Sequence, residues 1–252
     1  MPLIELGSPS TWKELEQLVG QILSECGFAV ELQREITLVR GAATVDAYAV
    51  DRSTTPSSSV IVECKTWDVA IPQHVVHSFR TVVSDSGANR GILVSLKGFQ
   101  SGAILAAEKS NISLLSWMEF QELFSERWIH NYMVPLLRRE IDPLVEYTEP
   151  INSRIFRKAD ALSANKQKEF RLRREQYRLL AWKLPWFIIP PDFPIAGPDL
   201  TLPLRRILPT GAQDGYPDFI LDEMALRPLA EHLANFWRDI IATFDSIFGG
   251  RA

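Results

Sequence analysis

Residues 60–67 read V-I-V-E-C-K-T-W, a run of apolar β-formers that ends in an acid and a base two positions apart. Side chains alternate across a strand, so Ile61, Glu63 and Lys65 share one face while Val60, Val62 and Cys64 share the other. An isolated charge is costly to bury. Glu63 and Lys65 therefore either reach solvent at the strand end as a plain ion pair, or are paired in order to hold something else. This stretch alone leaves both readings open.

The flanking sequence supplies the context. T-V-D-A-Y-A-V-D (44–51) reads as a strand in which Asp46, Tyr48 and Val50 share a face, F-A-V-E-L-Q-R (28–34) as the strand before it, and G-A-A (41–43) as the turn between them. With the polar loop 52–59 leading into Val60, three strands joined by short turns make a meander. Ahead of them, residues 11–27 predict an amphipathic helix. Thr11 and Glu14 have capping-box spacing, Leu15, Leu18, Val19, Ile22, Leu23 and Cys26 recur at helical intervals, and Gly27 closes the helix. Glu16 lies beside that stripe, either solvated on the flank or turned toward the protein. Downstream come a helix from Gln73 to about Ser84, the strand 91–96, the helix 103–109 and the short strand 112–117. Alternating strands and helices imply crossover connections, hence a mixed central sheet flanked by helices. Residues 1–128 are expected to form this α/β domain.

Beyond Trp117 the pattern changes. Residues 120–135 are helical with an aromatic bias, and 154–178 read as a long basic helix or helix pair. A Pro-rich, aromatic tract at 183–220 predicts an ordered but irregular wrap, and 222–248 an amphipathic helix interrupted near Pro228. The expectation for 129–252 is thus a helical, Pro-rich C-terminal region of no recognisable type.

The 252-residue chain has a soluble globular composition, 46% hydrophobic and 23% charged. Its start has no leader-like pattern and no run of about 18 apolar residues occurs, so no membrane span and a cytoplasmic location are expected. The two cysteines, Cys26 and Cys64, fit reduced buried thiols rather than a disulfide framework or a zinc site. The net charge of −4 is unevenly spread: residues 1–128 hold 10 Lys/Arg against 15 Asp/Glu, residues 154–178 hold 9 against 3.

In a meander, neighbouring strands lie about 4.8 Å apart, so Asp46 can sit beside Glu63. Two carboxylates that close repel unless a cation lies between them, and hard oxygen ligands suit Mg²⁺. Lys65 then orients or deprotonates a water and stabilises charge building on phosphorus. That is a phosphodiester hydrolysis centre.

A helix Glu, a strand Asp and then E-x-K, in this order and spacing, resemble the PD-(D/E)XK nuclease superfamily, specifically its Mrr-like restriction endonuclease branch. The resemblance covers about residues 11–125 and rests on L-E-Q-L-V, V-D-A-Y-A, V-I-V-E-C-K-T-W and R-G-I-L-V-S-L-K-G-F-Q-S-G-A. It implies that Asp46 and Glu63 ligate Mg²⁺, for which Mn²⁺ can substitute, together with the Cys64 carbonyl. It further implies that Lys65 is the catalytic lysine, Glu16 an accessory acid near the metal, and Gln73 a polar residue that approaches the site. The glycine-rich approach to the strand Asp is reduced here to Gly41-Ala42-Ala43-Thr44, and no winged-helix module is evident.

The resulting expectation is a metal-dependent endonuclease acting on DNA rather than RNA; a role in restriction or defence follows from the resemblance alone. The rival is a catalytically inactive nucleic-acid-binding or scaffolding subunit of a larger complex. Arg157, Arg171, Arg173, Arg174 and Arg178 either contact nucleic acid or form a solvated face, with His77, Arg80 and Lys97 as the alternative path. His74 and His77 otherwise read as incidental, Asp51 as a turn residue, and Trp67, Trp117, Trp128, Trp182 and Trp186 as packing residues. Ser95 and Ser116 lack a His-Asp arrangement. A second copy or another protein is the expected partner of the C-terminal region.

Overall fold

A computed structural model describes residues 2–39, 41–188 and 200–250, the side chains of 184–188 excepted. The chain divides into two compact units, one of residues 6–131 and one of residues 1–5 with 132–252.

The first unit begins with α1 (Trp12–Glu25), capped by Thr11, whose hydroxyl accepts the Glu14 N–H. Only half of the expected capping box forms, because the Glu14 carboxylate turns to Ser10. Gly27, at φ 87, ends the helix: its N–H donates to Ser24 and that of Phe28 to Leu23, the paired bonds of a Schellman motif.

The sheet runs in the order β1 (Ala29–Leu38), β2 (Gly41–Asp51), β3 (Ser58–Lys65), β4 (Arg90–Ser95), β5 (Ile112–Ser116). β1, β2 and β3 pair antiparallel, and β3, β4 and β5 parallel. The parallel pairs are joined through α2 (Gln73–Ser86) and α3 (Ser101–Ala107), which pack together against one face. α1 and α4 (Trp117–Trp128) pack against the other. The mixed α/β architecture expected for this part is therefore the one observed. Apolar side chains fill both interfaces: Ile36, Val45, Ile61, Phe79, Val83 and Leu93 under α2, and Leu15, Val19, Leu23, Phe120 and Phe124 on α1 and α4.

Two expectations about β2 are corrected. Gly41, Ala42 and Ala43 are not a turn; they are part of β2 and pair with Leu38, Thr37 and Ile36. The short alanine side chains suit a strand, and Ala43 packs on the core. Strict alternation also fails: Val45 and Tyr48, an odd and an even position, both pack into the cluster under α2. The register with β3 begins only at Ala47–Val62, so Asp46 lies where the alternation breaks.

The α4 helix passes through a π-helical turn, Ile129–Met133, into α5 (Val134–Thr148). The second unit comprises α5, α6 (Ser153–Asp160), α7 (Ala164–Ile188), the short helices α8 (Leu204–Ile207), α9 (Thr210–Gln213) and α10 (Asp218–Leu221), and α11 (Leu226–Phe248). α5, α7 and α11 pack on one another through Tyr147, Phe170 and Phe244. The basic segment is a helix pair, α6 and α7. Pro228 does not interrupt the last helix, as the sequence predicts, but lies in its first turn, where its missing N–H has no intrahelical partner to lose. Of the Pro-rich tract, residues 189–199 lie outside the described residues, as does the Trp186 side chain. Among the described residues no helix is long and apolar enough to cross a membrane. Cys26 and Cys64 are free and buried, as expected.

Candidate active site

Both faces of β3 pack into the core, Ile61 included, and only at the strand end does one face open. Val60, Val62 and Cys64 are buried, while Glu63 and Lys65 are partly open. Lys65 Nζ lies 2.5 Å from Glu63 Oε1, and the two side chains are 20% and 23% exposed. The ion pair thus forms, at a place that solvent and a ligand can reach.

Asp46 is buried beside it. Its Oδ2 accepts the Cys64 N–H at 2.7 Å, a bond that locks the carboxylate to the backbone of the E-x-K strand, and the Trp12 indole N–H at 3.5 Å. Its Oδ1 accepts from Gln33 Nε2 at 3.3 Å. Gln33 Nε2 also donates to Glu16 Oε2. Glu16 is buried on α1, so of its two readings it takes the one that faces the protein. α1 passes close to β1 at Gly20, where a Cβ would stand 2.7 Å from the Leu32 Cδ2 methyl and displace that side chain.

The electrostatics follow from burial and like charge. Burial, reinforced by the neighbouring Asp46 carboxylate, pushes the Glu63 carboxyl above its ordinary pKa despite Lys65. Burial likewise raises Glu16; donation from Gln33 opposes this and the Asp46 charge adds to it. Burial raises the Cys64 thiol, which removes it as a nucleophile. A cluster of carboxylates that burial drives toward protonation is one that a bound cation relieves.

Among the described residues no three His, Cys, Asp or Glu side chains assemble into a metal site. Asp46 and Glu63 nonetheless fit a divalent cation in kind: two hard carboxylates flank the Cys64 backbone, and Mg²⁺ takes few protein ligands and retains waters.

A cleft of ≈ 330 Å³ opens over Glu63 and Lys65 and is also lined by Thr44, Trp67, His74 and Ser78. Gln73 is not among these residues. It turns to His77, with Nε2 atoms 3.1 Å apart, and toward Gly102 of α3. The helix presents His74 to the cleft instead. His77 and Arg80 line a different cleft, of ≈ 510 Å³, with Ser110 and Asn111, and Arg80 donates to the Ala106 carbonyl at 2.8 Å. Lys97 is exposed just beyond β4, next to Leu96, whose N–H donates to the Lys65 carbonyl.

The remaining residues sort as follows. Ser95 Oγ donates to the Gly98 carbonyl in a turn and Ser116 caps α4, so both serines are structural. Asp51 does end a strand in a turn, accepting from Ser53, but it also takes a bidentate pair from Arg127 at 2.5 and 3.1 Å. Trp117 and Trp128 are buried as expected; Trp67 and Trp182 are instead 42% and 47% exposed, Trp67 at the cleft. In the second unit Arg157, Arg171 and Arg178 are exposed, and Arg173 and Arg174 half-covered. The Arg174 guanidinium lies 4.9 Å from the Phe156 ring centroid, and Arg178 lies 3.7 Å from Glu175.

Gln33 and Trp12 are the site residues that sequence reasoning missed; His74, read as incidental or as facing a nucleic acid, lines the cleft. Nothing in the local pattern marks Gln33, because its partners come from two other elements.

Residues 9–124 match the model of the Mrr_cat family, described as restriction endonuclease. No curated protein is significantly similar in sequence. Among solved structures, one described as a protein of unknown function, AF1548, is 18% identical with a TM-score of 0.39, over 65% of this chain and 96% of its own. The protein VC1899 from Vibrio cholerae is 19% identical with a TM-score of 0.37, over 47% of this chain and 33% of its own.

Proposed function

From the premise that residues 9–124 form a restriction endonuclease domain of the Mrr type, we propose that the protein is a divalent-metal-dependent endonuclease that hydrolyses DNA phosphodiester bonds and serves in restriction of foreign DNA in the cytoplasm. What supports this reading is the Glu63–Lys65 ion pair lining an open cleft at the end of β3, with Asp46, buried and outside the cleft lining, bonded to the Cys64 N–H between them. Asp46, Glu63 and the Cys64 carbonyl would hold a Mg²⁺ or Mn²⁺ ion, which would supply positive charge at the scissile phosphate.

The chain's own groups do the rest. Hydrolysis forms a bond from water oxygen to phosphorus and breaks the ester P–O bond; the water proton leaves to a base and the departing oxygen regains one. Lys65, an ammonium beside Glu63, is placed to orient the water and to offset the negative charge that builds on the phosphoryl oxygens. The Cys64 N–H keeps Asp46 fixed, so that no reorientation of this carboxylate is needed when substrate enters. Glu16 is assigned as an accessory acidic residue near the metal, and Gln33 holds it beside Asp46.

Because the nuclease domain has an acidic balance, we assign additional phosphate contacts to the exposed arginines of α6 and α7, and a paired chain or protein partner to the C-terminal region. Incubating the purified chain with plasmid DNA and with RNA, in Mg²⁺ or in EDTA, tests the activity. Metal-dependent cleavage of DNA is expected; an absence of cleavage on both substrates contradicts the reading.

A further inference from the structure

Gln33 on β1 bridges α1 and β2 at the centre, and its backbone is unusual for its place. It lies within β1, yet its φ is 48, in the left-handed region that side-chain-bearing residues rarely adopt. Residues held in such a conformation persist when the surroundings over-determine them, and they gather at functional sites. Here the surroundings are the two carboxylates. Nε2 of Gln33 donates to Glu16 Oε2 on α1 and, at 3.3 Å, to Asp46 Oδ1 on β2. With carboxylates on both sides the amide must present its NH₂ end, and it supplies the only kind of group that can donate to both at once without adding charge. Leu32 and Arg34 on either side keep normal pairing with Ala47 and Val45, so the twist is confined to the residue that makes the bridge.

We propose that Gln33 is a positioning residue of the acidic centre: its left-handed backbone aims an amide between Glu16 and Asp46, holding both carboxylates in the arrangement that receives a divalent cation. The inference deepens the nuclease reading and rests on it. Gln33 is exposed on its strand, and its amide is tied to these two carboxylates. Groups that orient metal ligands from outside the coordination shell typically change metal affinity about 10- to 100-fold when lost.

The test is Mn²⁺ binding to the full chain, without DNA, by titration calorimetry. Gln33→Gly removes the amide and accepts the positive φ freely; Gln33→Ala removes the amide and keeps the strain. Both are expected to bind Mn²⁺ at least about 10-fold more weakly than the wild type. They should differ from each other only in Tm, with the alanine variant lower. A Gln33→Gly affinity within twofold of the wild type, in a protein where Asp46→Ala abolishes binding, overturns the inference and leaves the nuclease reading standing. Wild-type protein that binds Mn²⁺ no better than Asp46→Ala overturns the metal centre itself, and the inference with it.

Discussion

Replacing Arg127 by Ala should destabilise the first unit by about 4 kcal/mol without touching the Glu63–Lys65 cleft. The guanidinium makes a bidentate pair with Asp51, donates from Nε to the Cys26 carbonyl at 2.7 Å and stacks 4.1 Å from the Phe28 ring centroid. It thereby ties the end of the strand that carries Asp46 to the C-terminus of α1 and to α4. The Asp51 side chain is only 8% exposed, so without Arg127 it keeps Ser53 alone as a partner. Breaking a buried pair costs about 3–5 kcal/mol; because Arg127 itself is 29% exposed, the lower end applies, and the lost bond to Cys26 adds about 1 kcal/mol. Urea unfolding followed by tryptophan fluorescence measures the difference. The pH dependence carries a sign. Arg127 holds the Asp51 carboxyl well below the usual carboxylate range. A carboxyl with a depressed folded pKa contributes stability above its unfolded value, about 3.9, and loses it as pH falls through the folded one. The gap between wild type and variant should therefore be full at pH 7 and shrink only below about pH 4. A difference under 1 kcal/mol at pH 7, or one that narrows already near neutrality, refutes the reasoning.

Other outcomes follow from the same structure. Gly91→Ala places a Cβ within 2.6 Å of Ile112 Cδ1 and Val83 Cγ2 and 2.9 Å of Phe79 Cε1, so it should cost about 1–3 kcal/mol in the same unfolding assay. Changing Arg157, Arg171 and Arg178 together to Gln should weaken DNA binding on every sequence and flatten the salt dependence of log K by about 0.9 per lost phosphate contact; wild-type affinity and slope would assign the segment to structure or to a protein partner. If two chains act together on a duplex, light scattering should give twice the 28.6 kDa chain mass, and a monomer that cuts both strands at all concentrations contradicts the pairing.

Much of the first unit is legible because its signals are local. Thr11 and Gly27 mark the ends of α1, β3 announces itself by its apolar run, and the order of strands and helices dictates crossovers. What failed was set by tertiary contact. The turn was misplaced onto Gly41–Ala43 because small residues serve both turns and crowded strands. Exact alternation along β2 could not foresee that Asp46 would take the Cys64 N–H and that Val45 and Tyr48 would reach the same cluster. Arg127 and Asp51 are 76 positions apart, and Glu16 and Gln33 come from different elements that only the tertiary fold brings together. In the second unit the helices were visible, but Pro228 was read as a break since sequence alone does not show which turn of α11 it occupies. Nothing local distinguished Gln73 from His74 as the residue turned to the cleft.

The central claim is that Asp46, Glu63 and Lys65 form one hydrolytic centre, and the most direct test is single-turnover cleavage of plasmid DNA by wild-type and Lys65→Ala protein at saturating Mg²⁺, with matched circular dichroism. Lys65→Ala should be slower by about 100-fold or more, because it removes the one ammonium beside Glu63 that can meet the charge developing on phosphorus. A Lys65→Ala protein that cleaves within a few-fold of the wild-type rate would contradict the account.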